Sequence, residues 1–374
     1  MNILINCSNL KTGGGLQVAN SICCQLYRFQ QHHFVVVLSS YLGNTKESIC
    51  NQKHIDVYTY NITNHPRTLL RGRNRFLDNL VKDYDINAVL TVFGPSRWCP
   101  RVVHLSGFAI PHLVIPESPY FERMGIKESL KWRFFIAIRK WSFARCANYY
   151  WTENPYISKR LAQLFPKKRV YTVSNYYHQV YDSHPSTWKR DINLSPFDGI
   201  TCLTVSSYWP HKNLEIIIDI IRELRQTHPS FKIRFVLTVT SQQMPVPEDV
   251  KSYILFIGKV DVSSCPYLYE QCDIMFQPSL LECFSATYVE AMRMEKPIVT
   301  TDMEFAHGLC NDAACYYNAT SAHSAAEAFY LVASNKDYCH TLIENGKKQL
   351  SKFDNYEERA NKLISIVESI ASNH

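Results

Sequence analysis

No apolar run in this chain approaches the roughly 20 residues that a membrane-spanning helix needs, so nothing in it reads as a span. Cys-x-x-Cys pairs and Cys/His arrays at zinc spacing are missing too. The 13 cysteines are scattered and odd in number, and neither Cys23-Cys24 nor Cys310 with Cys315 defines a site. Reduced thiols packed in a cytosolic core are therefore expected. There is no internal repeat and no low-complexity segment. The opening MNILINCSNL lacks a basic stretch followed by a long apolar run, and reads as a short strand running into glycines. Charge of one sign is in short supply as well. Forty basic against 33 acidic residues leave +7, which suits an anionic substrate or membrane surface and falls short of a dedicated nucleic-acid binder.

What is present is an ordinary globular composition, 46% apolar and 20% charged over 374 residues, enough for about two domains. Short β-branched runs alternate with helical patterns: NILINCS, FVVVLSS, IDVYTY, INAVLTVFG and RVVHLSG, with a basic polar helix near 69–83, then strands at 147–152 and 168–175 around a helix at 155–164. Residues 178–199 lose periodicity and gather Pro, Ser, Asp and Gly, as interdomain linkers do. A second series follows: ITCLTVSS, helix 213–227, KIRFVLTV, YILFIG, helix 264–271, DIMFQPS, a helix from about 284, PIVTTD, ACYYN and helix 321–335. The pattern predicts an α/β chain of two Rossmann-like domains facing a cleft, with ligands at the carboxyl ends of the strands. The expected divisions are 1–180, a linker at 181–199, 200–353, and a carboxy-terminal amphipathic helix at 354–374 packing back on the first domain.

Within FQPSLLECFSATYVEAMRMEKPIVTTD (276–302), Glu282 and Glu290 interrupt an apolar stretch. On one ideal helix they would lie about 80° apart and ~12 Å along the axis. The alternative puts Glu282 in the loop after DIMFQPS and starts the helix near Phe284. The amides of Cys283, Phe284, Ser285 and Ala286 are then unpaired donors suited to a diphosphate, flanked by two carboxylate acceptors. Glutamates at this spacing also occur on solvated helix faces.

The flanks distinguish this segment, because it resembles the signature of family-four retaining glycosyltransferases of the GT-B fold. That signature runs Pro-Ser, glutamate, Phe-Gly, a second glutamate with Ala-Met, then a Pro-Val strand. HGLCNDAACYYN (307–318) resembles the same family's Gly-Asp-Ala strand. The resemblance implies that Glu282 acts beside the donor sugar's hydroxyls and that Glu290 holds the ribose hydroxyls, with Phe284, Ser285 and Ala286 at the donor phosphates. Ser285, Cys283 and Glu295 stand where the family often has glycine. In VSSYWPHKNL (205–214), Lys212 matches the family's diphosphate lysine, whereas Ser207 occupies the arginine position and leaves one cation missing.

Gly13, Gly14 and Gly15 join the first strand to its helix and permit close backbone approach to phosphate or sugar. They fail the dinucleotide fingerprint, since its third glycine falls on Val18. A tight turn would use the same residues, while the resemblance places Gly14 and Gly15 at the donor. In VVHLSGFAIPH (102–112), His104 is expected to end its strand and serve as the family's catalytic histidine, with His112 as the alternative and a satisfied structural histidine as the other reading. WTENPYISKRL and VYTVSNYY resemble the family's domain-junction segments, which makes Asn175 structural. Residues 123–145 interleave Lys127, Lys131, Arg133, Arg139, Lys140 and Arg145 with aromatics, a pattern suited to an anionic membrane surface or to the solvated face of an ordinary helix.

The expectation is a retaining glycosyltransferase without metal or cofactor. It would move a sugar from a nucleotide-diphosphate donor to a glycan or lipid-linked acceptor, in cell-surface polysaccharide synthesis, with no nucleic-acid partner. It would be cytoplasmic or peripheral at the inner face of the cell membrane. The acid pair in DYD at 83–85 reads as solvated. A nucleotide-sugar epimerase of the same fold, an NAD-dependent oxidoreductase and a non-catalytic sugar-binding module are the rival readings.

Overall fold

The computed structural model describes residues 1–62 and 71–373, and the chain divides into two units. The first comprises Met1–Pro116, Gly125–Asn175 and the stretch from Asp354 onward. Its seven-stranded sheet contains β1 (Asn2–Cys7), β2 (His33–Leu38), β3 (Ile55–Thr59), β4 (Ala88–Thr91), β5 (Val103–Gly107), β6 (Tyr149–Thr152) and β7 (Arg169–Thr172). The order is β3-β2-β1-β4-β5-β6-β7, and every pairing is parallel.

Parallel pairing follows from strands that are apolar on both faces. Ile3, Ile5 and Val36 enter one core, and Leu4, Val35 and Val37 enter another with Leu77, Leu80 and Trp98. The carboxy-terminal helix Tyr356–Ser372 begins in a capping box formed by Asn355 and Glu358. Its Ala360, Leu363, Ile364, Val367 and Ile370 recur at helical spacing and join the Ile3–Ile5 core, so this helix belongs to the first domain as expected. The basic helix near 69–83 is observed at Arg75–Asp83; residues 69 and 70 lie outside the described residues.

The second unit comprises Tyr176–Phe353 and a segment from the middle of the chain, Glu117–Met124. Its strands are β8 (Ile200–Thr204), β9 (Ile233–Leu237), β10 (Ile254–Phe256), β11 (Ile274–Gln277), β12 (Ile298–Thr301) and β13 (Ala314–Tyr317). They form a parallel sheet in the order β10-β9-β8-β11-β12-β13. The order reverses between β8 and β11, as it does between β1 and β4 in the first unit, and such reversals open a crevice at the strands' carboxyl ends.

Residues 181–199, read from sequence as a linker, are held on the second unit. Tyr181 is fully buried, Gln271 bonds the backbone of Ile192 and Leu194 at 2.9 and 2.8 Å, and Arg234 donates to the Ser195 carbonyl at 2.7 Å. An aperiodic stretch can be pinned through its backbone by side chains from elsewhere, which composition does not reveal. The expectation of uniformly reduced thiols also needs correction, because Cys99 and Cys146 form a disulfide. Among the described residues no helix is long and apolar enough to cross a membrane.

Candidate active site

The polar centre of the second unit lies where β8 and β11 end. β11 delivers Gln277, which is 1% exposed, and the chain then runs through a loop to a helix that starts at Ala286, two residues later than expected. Hydroxyls at neighbouring strand ends hold this loop: Thr300 donates to the Gln277 carbonyl at 2.9 Å and Thr301 to the Ser279 carbonyl at 2.8 Å. Glu282 therefore sits in the loop, not on the helix.

Glu282 Oε1 accepts from Ser279 Oγ at 2.9 Å and Gln277 Nε2 at 3.2 Å, and it forms an ion pair with Lys212 Nζ. No hydrogen bond reaches Oε2 from the described residues. Lys212 ends a 3-10 turn, Pro210–Lys212, beyond β8. That turn is joined to the Glu282 loop by the Leu280 amide, which donates to the His211 carbonyl at 2.8 Å. The two strands at the reversal thus supply one cation and one carboxylate in direct contact.

The helix Ala286–Arg293 carries Glu290 on its buried side. Ser285 stands at its N-cap position, but its hydroxyl pairs with Thr287 Oγ1 at 2.8 Å and makes no capping bond. The first-turn amides, including that of Ala286, are left without a capping side chain, and no acid occupies the first turn. Such a terminus favours an anion. Phe284 is half-buried, its ring edge-on to Phe353 at 6.2 Å. Glu290 Oε2 accepts from Tyr269 OH at 3.3 Å. Burial pushes its carboxyl up to about 7, against the lowering effect of the neighbouring Tyr181 and Tyr269 hydroxyls.

His211 does not restore the cation missing at Ser207. Burial and the adjacent Lys212 charge lower its pKa to about 4, so the ring is neutral at physiological pH. Ser207 itself is exposed.

In the first unit, Gly13 stands just before the helix Gly14–Cys23, at the carboxyl end of β1. Its φ of +71° is the conformation that demands glycine. A Cβ at Gly14 would meet nothing within 4 Å, and one at Gly15 would make ordinary contacts with Leu10 and Phe93. Openness, not strain, is what Gly14 provides, whereas Gly15 faces Leu10 and Phe93.

The expectation that His104 closes its strand is corrected. It is the second residue of β5 and lies at the amino-terminal edge of the sheet, beside a cavity of about 640 Å³ lined also by Arg145 and Tyr149. Both ring nitrogens are occupied, Nε2 with Thr91 Oγ1 at 2.9 Å and Nδ1 with the Cys146 carbonyl at 2.6 Å, and burial lowers the pKa to about 4. The sequence run VVHLSG carries no mark of where the ladder begins, and the ladder begins one residue before His104. His112 lies beyond the carboxyl end of β5 and stacks on Trp132 at 4.7 Å.

The sequence reading also passed over Gln277 and Ser279, which position Glu282, and Tyr269 and Tyr181, which surround Glu290. Only the pair Gln277 and Ser279 had a signal, as polar residues at a strand's carboxyl end. It passed over the segment 117–124 as well, where Ser118 caps a turn that starts with Pro119.

Residues 187–349 match the family described as Glycosyl transferases group 1. The O-antigen chain mannosyltransferase RfbU of Salmonella typhimurium is 26% identical over 162 residues, 42% of this chain and 42% of that protein's length. A glycosyltransferase from Rickettsia africae superposes over 100% of this chain and 99% of its own, with a TM-score of 0.69 at 14% identity. Anabaena HepE in complex with UDP-glucose superposes over 98% of this chain and 99% of its own, with a TM-score of 0.65 at 15% identity. The fold is thus that of two Rossmann-like domains as found in GT-B glycosyltransferases.

Proposed function

We propose, from a chain whose residues 187–349 are of the group 1 glycosyl transferase family, that it is a retaining glycosyltransferase using a nucleotide-diphosphate sugar. The observation that carries this reading is the Lys212–Glu282 pair at the β8/β11 reversal, followed eight residues on by the buried Glu290. Along that segment the open Oε2 of Glu282 accepts from the sugar's hydroxyls and Lys212 meets the phosphate that bears the sugar. The uncapped amides at Ser285 and Ala286 take the other phosphate, and Glu290 accepts from the ribose hydroxyls. Phe284 lines the same segment. The first unit takes the acceptor, and its glycine turn at Gly14 and Gly15, open at Gly14, serves the donor.

The difficulty of the reaction is charge. The bond from the anomeric carbon to the diphosphate oxygen breaks with its electron pair on the diphosphate, and the acceptor oxygen bonds to that carbon. The acceptor's proton passes to the departing phosphate oxygen, on the same face of the sugar. Fixed amides and a lysine stabilise the charge as it develops. The likeness of part of the chain to a mannosyltransferase of O-antigen synthesis supports a hexosyl donor and a glycan or lipid-linked acceptor. His104 has no part in this scheme.

The experiment is titration calorimetry against UDP, GDP and NAD, repeated with Glu290→Ala, followed by sugar transfer with the matching donor and determination of the product's anomeric configuration. Binding of one nucleoside diphosphate that the substitution weakens is expected. Binding of NAD, indifferent to Glu290→Ala, would sink the reading.

A second surface belongs to the same proposal. The helix Ile126–Cys146 leaves Ile126, Leu130, Phe134, Phe135 and Trp141 exposed, with exposed Lys127, Lys131, Arg133 and Lys140 among them. Apolar side chains flanked by cations match an anionic bilayer surface. Sedimentation with vesicles should capture the protein on phosphatidylglycerol and not on phosphatidylcholine, and Phe134→Ser with Phe135→Ser should release it. Equal capture on both lipids, or none on either, would remove this surface from the proposal.

A further inference from the structure

The site as described is short of positive charge. A nucleotide-diphosphate sugar bears two negative charges and its diphosphate keeps one more electron pair when the sugar departs, whereas Lys212 is already matched by Glu282. His211 is held neutral, and Ser207 brings no charge. The helix amides supply partial charges only.

A guanidinium stands beside this loop, and it comes from a distant part of the chain. Arg123 Nη1 donates to the Oδ1 of Asn213, the residue directly after Lys212. Arg123 is exposed. Among the described residues no carboxylate pairs with it, in contrast to Lys212. Asn213 is 1% exposed, is held in the left-handed conformation at φ +55°, and its Nδ2 has no hydrogen-bond partner. A buried amide that orients a guanidinium and retains an unused donor, next to a lysine, is an environment suited to an anion.

The placement of Arg123 is built rather than incidental. Its segment, Glu117–Met124, belongs to the second unit although the chain on both sides belongs to the first. Ser118, 1% exposed, donates to the Leu280 carbonyl at 2.7 Å, and that residue lies two positions before Glu282. Tyr120, also buried, sets its ring edge against His211 at 6.1 Å. The short helix that contains Tyr120, Pro119–Glu122, is capped by Ser118, whose hydroxyl accepts from the Tyr120 amide at 3.2 Å. The segment is therefore fastened to both loops that carry the ion pair, and Arg123 is the residue directly after its short helix.

We propose that Arg123 is the second cation of the donor site, binding through its free guanidinium edge the phosphate that carries the sugar. This rests on the transferase reading above. Because Glu282 faces the sugar and Glu290 the ribose in that reading, cations beside Glu282 meet the sugar-bearing phosphate and not the one next to the nucleoside. A planar fork suits two phosphate oxygens better than a second lysine would.

The prediction is a selective loss. Calorimetry on the full chain compares wild type, Arg123→Ala and Arg123→Lys against UDP and GDP and against UMP and GMP. Arg123→Ala should weaken the diphosphate that wild type binds by about 10–100-fold, the range expected for a charge-assisted hydrogen bond. The corresponding monophosphate should be almost unaffected, and Arg123→Lys should recover part of the loss. Undiminished diphosphate binding by Arg123→Ala overturns the proposal while leaving the transferase reading intact. Equal losses for monophosphate and diphosphate overturn it too, because they indicate a disturbed loop rather than a lost phosphate contact. If wild type binds no nucleoside diphosphate at all, the transferase reading fails and this proposal with it.

Discussion

His104 in the first unit and Glu282 in the second invite the same first reading. Each is a polar side chain almost hidden from solvent, 5% and 7% exposed, in an otherwise apolar setting. They differ in which end of a strand they occupy and in what bonding capacity they retain. His104 sits at the amino-terminal edge of β5, and its two nitrogens have two partners, so nothing remains to offer a ligand. Glu282 lies beyond the carboxyl end of β11, uses one oxygen on Ser279, Gln277 and Lys212, and keeps the other. Burial with hydrogen bonds is common to a core residue and a working one. Unspent capacity at the carboxyl edge of a parallel sheet separates them.

The comparison is tested most severely at Glu282. Glu282→Gln keeps the shape but removes the charge that pairs with Lys212, and turnover should fall by about 10²–10³-fold, as when one preorganised electrostatic contact is lost at a reacting centre. Steady-state rates with the matched donor measure it. Turnover near wild type would show that the open oxygen is unused.

A smaller effect belongs to Glu290, whose carboxyl burial raises to about 7. Below pH 7 the group is largely protonated and accepts the ribose hydroxyls weakly; above it the carboxylate accepts them well. Nucleoside diphosphate affinity should therefore rise between pH 6 and 8, and Glu290→Gln should flatten that rise while weakening binding at pH 8 by about tenfold. Stability runs the other way. Since the folded-state value exceeds the usual 4.5, the contribution is fully present below that value and is lost as pH climbs through 7. Glu153, also raised to about 7 by burial, adds a fall in the same window. Thermal unfolding across pH 4–8 with and without Glu290→Gln separates the two. An unchanged slope would mean that Glu290 is not the buried acid described.

How much of this was legible in sequence follows from locality. Each strand run read from β-branched composition corresponds to an observed strand, and the helix at 155–164 is found at Pro155–Leu164. Glu282, the Ser285–Ala286 turn and Glu290 lie within nine consecutive residues, so their grouping survives in the primary structure. Lys212 was found because VSSYWPHKNL resembles the family's strand-to-helix junction, and the structure then places that strand beside β11. Ser118 was not, because it reaches the same loops from far along the chain, and Arg123 was read as the start of the basic stretch 123–145, whereas that helix begins at Ile126. Cys99 and Cys146 meet for a similar reason, across 47 residues. His104 was misplaced by a matter of register, as a strand's apolar run does not state which residue opens its ladder. The helix Lys336–Leu350 was passed over because it follows the preceding helix directly, with Asn335 as the shared boundary residue.

The smallest effect on chemistry, and a definite effect on folding, is expected at His104. His104→Leu removes the partner of the Cys146 carbonyl and one of the two partners of Thr91 Oγ1, which keeps Asn6 Nδ2 at 3.3 Å. Leaving the buried Cys146 carbonyl unpaired costs about 1–3 kcal/mol, so the variant should unfold at lower denaturant concentration. Turnover per folded molecule should stay at the wild-type level. The sign of its pH dependence is opposite to that of Glu290: a histidine lowered to about 4 by burial stabilises above its usual 6.5, and that contribution disappears as pH falls toward 4. Wild type should thus lose a component of stability between pH 6.5 and 4 that His104→Leu no longer shows. A stable variant with lost turnover would reverse the reading, making the amino edge of the first sheet a place where chemistry depends on a fully bonded histidine.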